Sequence, residues 1–186
     1  MKKHTIYLLL VLFLSLTSCG DDDPEITQDQ RELIMGDEET TTVLGLNAPL
    51  VLDRDDIHTT PRTFDLNSDG EDDITLFAFQ EFNGDKGLHV TTLNTNTRIA
   101  FDDNDNVKPL NEGDVVTIES ESWKFADEAP LAVSQGGVFG VWNGLQNRFM
   151  AVRIDVNNNR FLAWVELSVD DFDNYSFFNF AFKRVP

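Results

Sequence analysis

A chain of 186 residues with 41% hydrophobic content is long enough for one domain with a real core. Its 33 acidic residues against 14 Lys and Arg give a net charge of −19, which excludes a nucleic-acid binder because nothing would neutralise the phosphates. That balance suits a solvated extracellular protein or one that gathers cations. A single cysteine, Cys19, excludes a disulfide framework.

The first 18 residues read as a processing signal. Lys2 and Lys3 form a positive n-region, and Tyr7 to Leu16 is an almost wholly apolar h-region too short to span a bilayer. Leu16-Thr17-Ser18-Cys19 then resembles the lipobox of bacterial lipoproteins. That likeness implies that Cys19 is acylated after cleavage and becomes the new N-terminus. The plainer alternative is an ordinary signal peptide with an accidental cysteine. Removing residues 1–18 leaves 12 basic residues against 33 acids, a charge of −21. Gly20-Asp21-Asp22-Asp23 resembles the acidic surface-export signal of Bacteroidetes lipoproteins, which implies an outer-membrane location facing the exterior. Read without that likeness, it is a solvated acidic tether. Residues 19–40 are accordingly assigned to the acylated cysteine and tether, with the domain beginning at Thr41.

From residue 41 to 186 the chain reads as short runs rich in Val, Ile, Phe, Trp and Thr, separated by Asn, Asp and Gly. No 3.6-residue apolar period is sustained. About ten strands at such spacing predict a single all-β domain, an antiparallel β-sandwich of jelly-roll-like form. The clearest part is Arg148–Val156, Asn157-Asn158-Asn159 and Arg160–Val169. Asparagines tolerate positive φ, so this predicts a hairpin with a short loop. In its return strand Phe161, Ala163, Val165, Leu167 and Val169 share one face. Leu162, Trp164, Glu166 and Ser168 share the other, which is predicted to be partly covered. The phenylalanines of Ser176–Phe182 fall on both parities, as in a strand buried between layers.

The most specific motif is Asp65-Leu66-Asn67-Ser68-Asp69-Gly70-Glu71-Asp72-Asp73. Oxygen side chains stand at loop positions 1, 3, 5 and 9, with glycine at position 6. Several hard oxygen ligands from one turn, with a residue that tolerates the sharp bend, are what calcium requires. Asp65, Asn67 and Asp69 are the side-chain ligands. Glu71 stands where such loops offer a backbone carbonyl, and Asp73 closes the loop directly or through water. Leu76 occupies position 12, where an EF-hand has its bidentate glutamate, and the flanks read as strands. The expected cofactor is therefore a structural calcium ion that offsets carboxylate repulsion and stiffens a hairpin. An ion-free acidic turn is the alternative, since Asn, Asp and Gly are also turn residues. The runs Asp102–Asn106 and Asp170–Asn174 are read as exposed loops.

Taken together, the lipobox, the Asp65–Asp73 loop between two strands, Gly113-Asp114 before a strand, Leu162-Ala163-Trp164-Val165 and Ala181-Phe182-Lys183 resemble the layout of small surface lipoproteins of Flavobacteria and their relatives. Those carry Tyr-Gly-Trp-Val and Ala-Tyr-Glu in the last two strands, so Leu162, Ala163 and Lys183 depart from the pattern. The resemblance implies a β fold and an ion loop but no activity.

Catalytic motifs are missing. His58 and His89 have no third ligand to make a zinc site, no Gly-x-Ser-x-Gly elbow exists, and Gly136-Gly137 and Gly140 make no phosphate loop. Acid pairs such as Glu119 and Glu121 carry no information in so acidic a chain. Trp123, Trp142 and Trp164, with Phe82 and Phe125, are candidates for stacking on a sugar. Trp142 and Trp164 are better placed as core, and Trp123, between Ser122 and Lys124, is the candidate for an exposed ring. The sequence thus predicts a membrane-anchored, calcium-stiffened β-sandwich acting as a non-catalytic binding or structural module, with a glycan or surface protein as partner. The alternative is a small carbohydrate-active enzyme, or a glycan-binding accessory protein of an outer-membrane uptake complex.

Overall fold

The structure, a computed structural model, describes residues 28–39, 41–52, 61–81, 83–170, 172 and 175–186. The signal peptide, Cys19 and the Gly20–Asp23 segment lie outside the described residues, as do His58 and Phe82.

The chain forms the expected antiparallel β-sandwich from two open sheets. One has six strands, in the spatial order β2 (Thr42–Leu52), β13 (Tyr175–Val185), β12 (Asn159–Val169), β11 (Leu145–Val156), β6 (Thr97–Phe101) and β8 (Ser122–Lys124). The other has five, in the order β10 (Val138–Phe139), β9 (Ala129–Ser134), β5 (Lys86–Thr92), β4 (Ile74–Gln80) and β3 (Arg62–Phe64). The predicted Asn hairpin joins β11 to β12. Asn157 and Asn158 take φ of 49° and 63°, the two successive positive values that a tight two-residue turn demands. Ten registered pairs follow, from Val156 with Asn159 back to Leu145 with Val169.

The main core lies between the sheets. It takes Leu76, Leu88, Val90 and Leu131 from one side and Ile99, Met150, Val152, Ile154, Ala163, Val165, Leu167 and Val169 from the other. Phenylalanines on both parities of β13 have a specific cause. Its pairing with β12 shifts register, with Val165 opposite Phe180 but Leu167 opposite Phe177, and the one extra residue this gives β13 exchanges its faces. Phe177 and Phe180 therefore both reach the main core, while Ala181 and Val185 point away.

A third layer was not foreseen. β1 (Glu32–Ile34) pairs antiparallel with β7 (Val115–Thr117), and this ribbon lies on the outer face of the six-stranded sheet. Leu33, Met35 and Val116 come from the ribbon and the turn after β1. They form a second core with Ala100, Leu110, Phe149, Ala151, Leu162, Trp164 and Ala181. The face of β12 expected to be partly covered is closed at these positions, with Leu162 at 0% and Trp164 at 1% exposure. The packed domain also begins before residue 41, since Leu33 and Met35, read as tether, are 0% and 1% exposed. A single helical turn, Gln28–Arg31, leads into the ribbon.

Leu33→Ala should therefore cost about 2–5 kcal/mol, the range for a buried leucine that leaves a cavity, read as a lower denaturant midpoint at constant slope. A loss within about 0.5 kcal/mol, typical of surface sites, would show that the ribbon does not pack.

Candidate functional site

β3 and β4 pair so that Phe64 faces Ile74, and Asp65–Asp73 is the loop between them. Its first half is wound by carboxylates accepting from backbone amides. Asp65 accepts from Asp69 N at 3.2 Å and from Gly70 N at 2.8 Å. Asn67 Oδ1 accepts from Asp69 N at 3.0 Å, and Asp69 Oδ1 from Glu71 N at 2.9 Å. The Asn67 amide also donates to Asp69 Oδ2 at 3.0 Å. Ser68 and Gly70 take φ of 61° and 92°, so the bend falls where the glycine stands. A Cβ at Gly70 would meet nothing within 4 Å; conformation, not space, calls for glycine there.

The second half is tied to the core. Leu66 is fully buried among main-core residues. Its N–H donates to Asp73 Oδ2 at 2.8 Å, closing the loop across its mouth. The Thr97 hydroxyl lies 3.2 Å from Asp73 Oδ1 and 3.0 Å from Asn94 Oδ1, and with one proton it donates to one of them at a time. Asp73 is 2% exposed. Burial, followed by repulsion from Asp69 and Asp65, pushes its carboxyl up to about 6, against the opposing effect of the Leu66 and Thr97 bonds.

Asp65, Asn67, Asp69 and Asp73 are thus brought to one loop, Glu71 is exposed, and each bonded carboxylate keeps lone pairs for a cation. Among the described residues, no three His, Cys, Asp or Glu are gathered tightly enough to hold a metal as they stand. The expected ligand set also draws on the Asn67 amide and on a backbone carbonyl at Glu71.

Trp123 is half-buried against the second core, and its indole N–H donates to Ile118 O at 2.7 Å. Trp142 is fully buried and donates to Val107 O at 2.8 Å. Phe125 is exposed. His89 is half-buried with its ring 5.1 Å from that of Phe79. Glu121, one of the uninformative acids, pairs with Lys108 at 2.7 Å. In the Asp102–Asn106 run, Asp102 Oδ1 accepts from Asn104 N and Asn106 N, an ordinary turn arrangement.

A second constellation could not be read from spacing. Gly36, Glu38, Glu112, Asn147, Phe149, Trp164 and Glu166 line a cavity of about 230 Å³. It sits where the turns flanking the ribbon meet β11 and β12. Gly36 (φ 77°) allows the close approach, since a Cβ there would lie 3.2 Å from Glu112 Cγ and from the Phe149 ring. Asn147 is held at φ 49°, and its N–H donates to Ser168 Oγ at 2.9 Å. Burial raises the Glu166 pKa; Asn179, at 3.4 Å, opposes this, and Glu112 and Glu38 reinforce it. The one signal in the sequence was Glu166 on the same face as Trp164.

The chain matches no known family model, no characterised protein and no solved structure. Fold and loop define it as a β-sandwich protein with an acidic strand-loop-strand site.

Without metal, Asp73 should leave a pH signature. Unfolded, it ionises near its ordinary 3.8; folded, it keeps its proton to about 6. Between those values the folded state holds more protons, so its contribution to stability falls as pH rises through that window. In chelator, Asp73→Asn should remove this slope, amounting to a few degrees of melting temperature. Parallel melting curves for the two proteins across the window would contradict the assignment.

Proposed function

We propose that this protein is a lipid-anchored surface module, held to the outer membrane through Cys19. Its β-sandwich is stiffened by calcium at Asp65, Asn67, Asp69, Glu71 and Asp73, and it acts as a non-catalytic binding or structural unit. The observation that carries this reading is the loop closure. A carboxylate as buried as Asp73, with two further carboxylates acting on it, is costly as an anion unless a cation neutralises it. Calcium at the loop would reverse that penalty, and Leu66 and Thr97 would transmit the stiffening to the core. The lipobox supports the anchor, which needs only Cys19 and a polar linker.

Calorimetry on the processed chain tests the metal. One calcium should bind, and hundredfold saturation should raise the melting temperature by about 5–10 °C. Asp69→Ala should abolish the rise while leaving the fold intact in chelator. Metabolic labelling with a fatty acid, lost in Cys19→Ala, tests the anchor. A chain that binds no calcium and melts identically in chelator would sink the metal half of the reading.

A further inference from the structure

We propose that the hollow on the outer face of the five-stranded sheet, floored by Phe77, Phe79 and His89 and rimmed by Glu81 and Glu128, binds the guanidinium group of a small organic cation. This rests on the reading of the protein as a binding module and names the ligand class. The hollow holds about 370 Å³, within the usual range for small-molecule sites. Its floor follows from alternation along β4. Leu76 enters the main core and Ala78 packs against it, so Phe77 and Phe79 take the opposite face. They belong to neither core and are only half-buried. The solvent side of an antiparallel strand is ordinarily polar, so two aromatic rings there call for a reason.

The rings form a shared surface. Phe77 and Phe79 lie 6.3 Å apart with planes within 10°, and His89 stacks on Phe79 at 5.1 Å and 28°. Opposite Phe79 stands Gly87, where a Cβ would collide with Ala132 O at 2.6 Å, so no side chain at that point of β5 covers the Phe79 ring. The rim carboxylates come from separate turns. Glu81 opens the turn between β4 and β5, where its N–H donates to Asp85 O at 2.7 Å. Glu128 is held at φ 49°, and its N–H donates to Thr91 Oγ1 at 3.0 Å, which ties it to β5 two residues beyond His89. Gln135 adds an amide carbonyl. None of the lining residues is Lys or Arg, and Lys86, opposite Gln80, has the parity of Leu88 and not of His89.

This wall selects its ligand. Aromatic faces are electronegative and attract cations. Burial lowers the His89 pKa, with Glu128 opposing, so the floor itself is mostly uncharged at neutral pH. The same chemistry occurs within the protein on the other sheet, where Lys124 Nζ lies 5.6 Å from the centre of the Phe101 ring and pairs with Asp105. A guanidinium group is planar, stacks on rings and carries five donors, which the Glu81 and Glu128 carboxylates and the Gln135 carbonyl can accept. A quaternary ammonium would meet the floor but give the rim no donor. A sugar ring would gain nothing from the rim charge. An anion would be repelled by the rim and by the net charge of −19.

The test is nuclear magnetic resonance of the processed, calcium-saturated chain at low salt, reading the His89 ring signals, assigned by their loss in His89→Gln. The probe is butylguanidinium, added to tens of millimolar. Its neutral planar counterpart butylurea, tetramethylammonium and methyl glucoside are the controls. Butylguanidinium should move the His89 signals saturably and more tightly than any control, and added salt should weaken it. Phe79→Leu keeps apolar bulk but removes the ring face, and Glu128→Gln keeps shape but removes the charge. Each should weaken binding about two- to fivefold at an unchanged melting temperature. Three outcomes overturn the proposal: butylguanidinium leaves the signals unmoved, any control binds as well as it does, or both substitutions leave its binding intact. A blocked Gly-Arg-Gly peptide that binds more than tenfold tighter would assign the chemistry to a partner chain and overturn the small-molecule source. A silent hollow beside an intact calcium-dependent melt overturns this inference alone.

Discussion

The packing of β12 against two cores at once constrains everything else. Ala163, Val165, Leu167 and Val169 face the five-stranded sheet, and Leu162 and Trp164 face the ribbon. A strand buried on both faces loses its freedom to slip, because a one-residue shift would exchange the two sets of side chains. Trp164 could not be accommodated in the main core without displacing its close-packed interior. Register fixed in this way passes to β11 through the Asn157-Asn158 turn and to β13 through pairs such as Trp164 with Ala181. Where β13 carries one extra residue against β12, between Phe177 and Phe180, the parity of its side chains that faces the main core changes.

Both candidate sites grow from that frame, in different ways. The Asp65–Asp73 loop hangs from the main core by Leu66 and Asp73, so any ion there would act on the hairpin that lies across the sandwich. The Glu166 cavity belongs to the second core. Phe149 and Trp164 pack the interior of that layer, and Glu166, two residues further along β12, emerges where the ribbon stops covering the sheet. The same strand thus supplies an indole to the packed layer and a carboxyl to the hollow at its end. The ribbon creates the hollow because its turns, at Gly36 and around Glu112, approach the sheet without filling the last space.

The legible parts of the sequence were those with local causes. Positive-φ asparagines marked the β11–β12 turn, alternation marked the main-core face of β12, and the spacing of Asp, Asn and Gly marked the acidic loop. The strands β8 and β9 and the ribbon were harder. Ser122–Lys124 is three residues long, Ala129–Ser134 contains Pro130 and two alanines, and Glu32–Ile34 sits in a stretch whose polarity resembles a tether. Their structure comes from partners far along the chain, with Leu33 facing Val116. The cavity was illegible for a related reason. Thirty-three acids make any one glutamate unremarkable, and only tertiary packing brings Glu38 and Glu112 alongside Glu166.

Charge unites these features. A chain this acidic pays little for carboxylates that face water, where screening extends over only about 10 Å. Its electrostatic cost is concentrated in the few carboxyls that are enclosed. Asp73 and Glu166 are the two described acids whose pKa is raised, and each sits at the inner end of a larger acidic group: Asp65 and Asp69 around one, Glu38 and Glu112 around the other. They differ in what lies beside them. The loop offers further oxygen lone pairs and a bend set by glycine, which suits a hard cation. The cavity offers no such bend, and its wall pairs the carboxyls with the Asn147 amide and the Phe149 and Trp164 rings. The two enclosures therefore differ in chemistry despite sharing carboxylates.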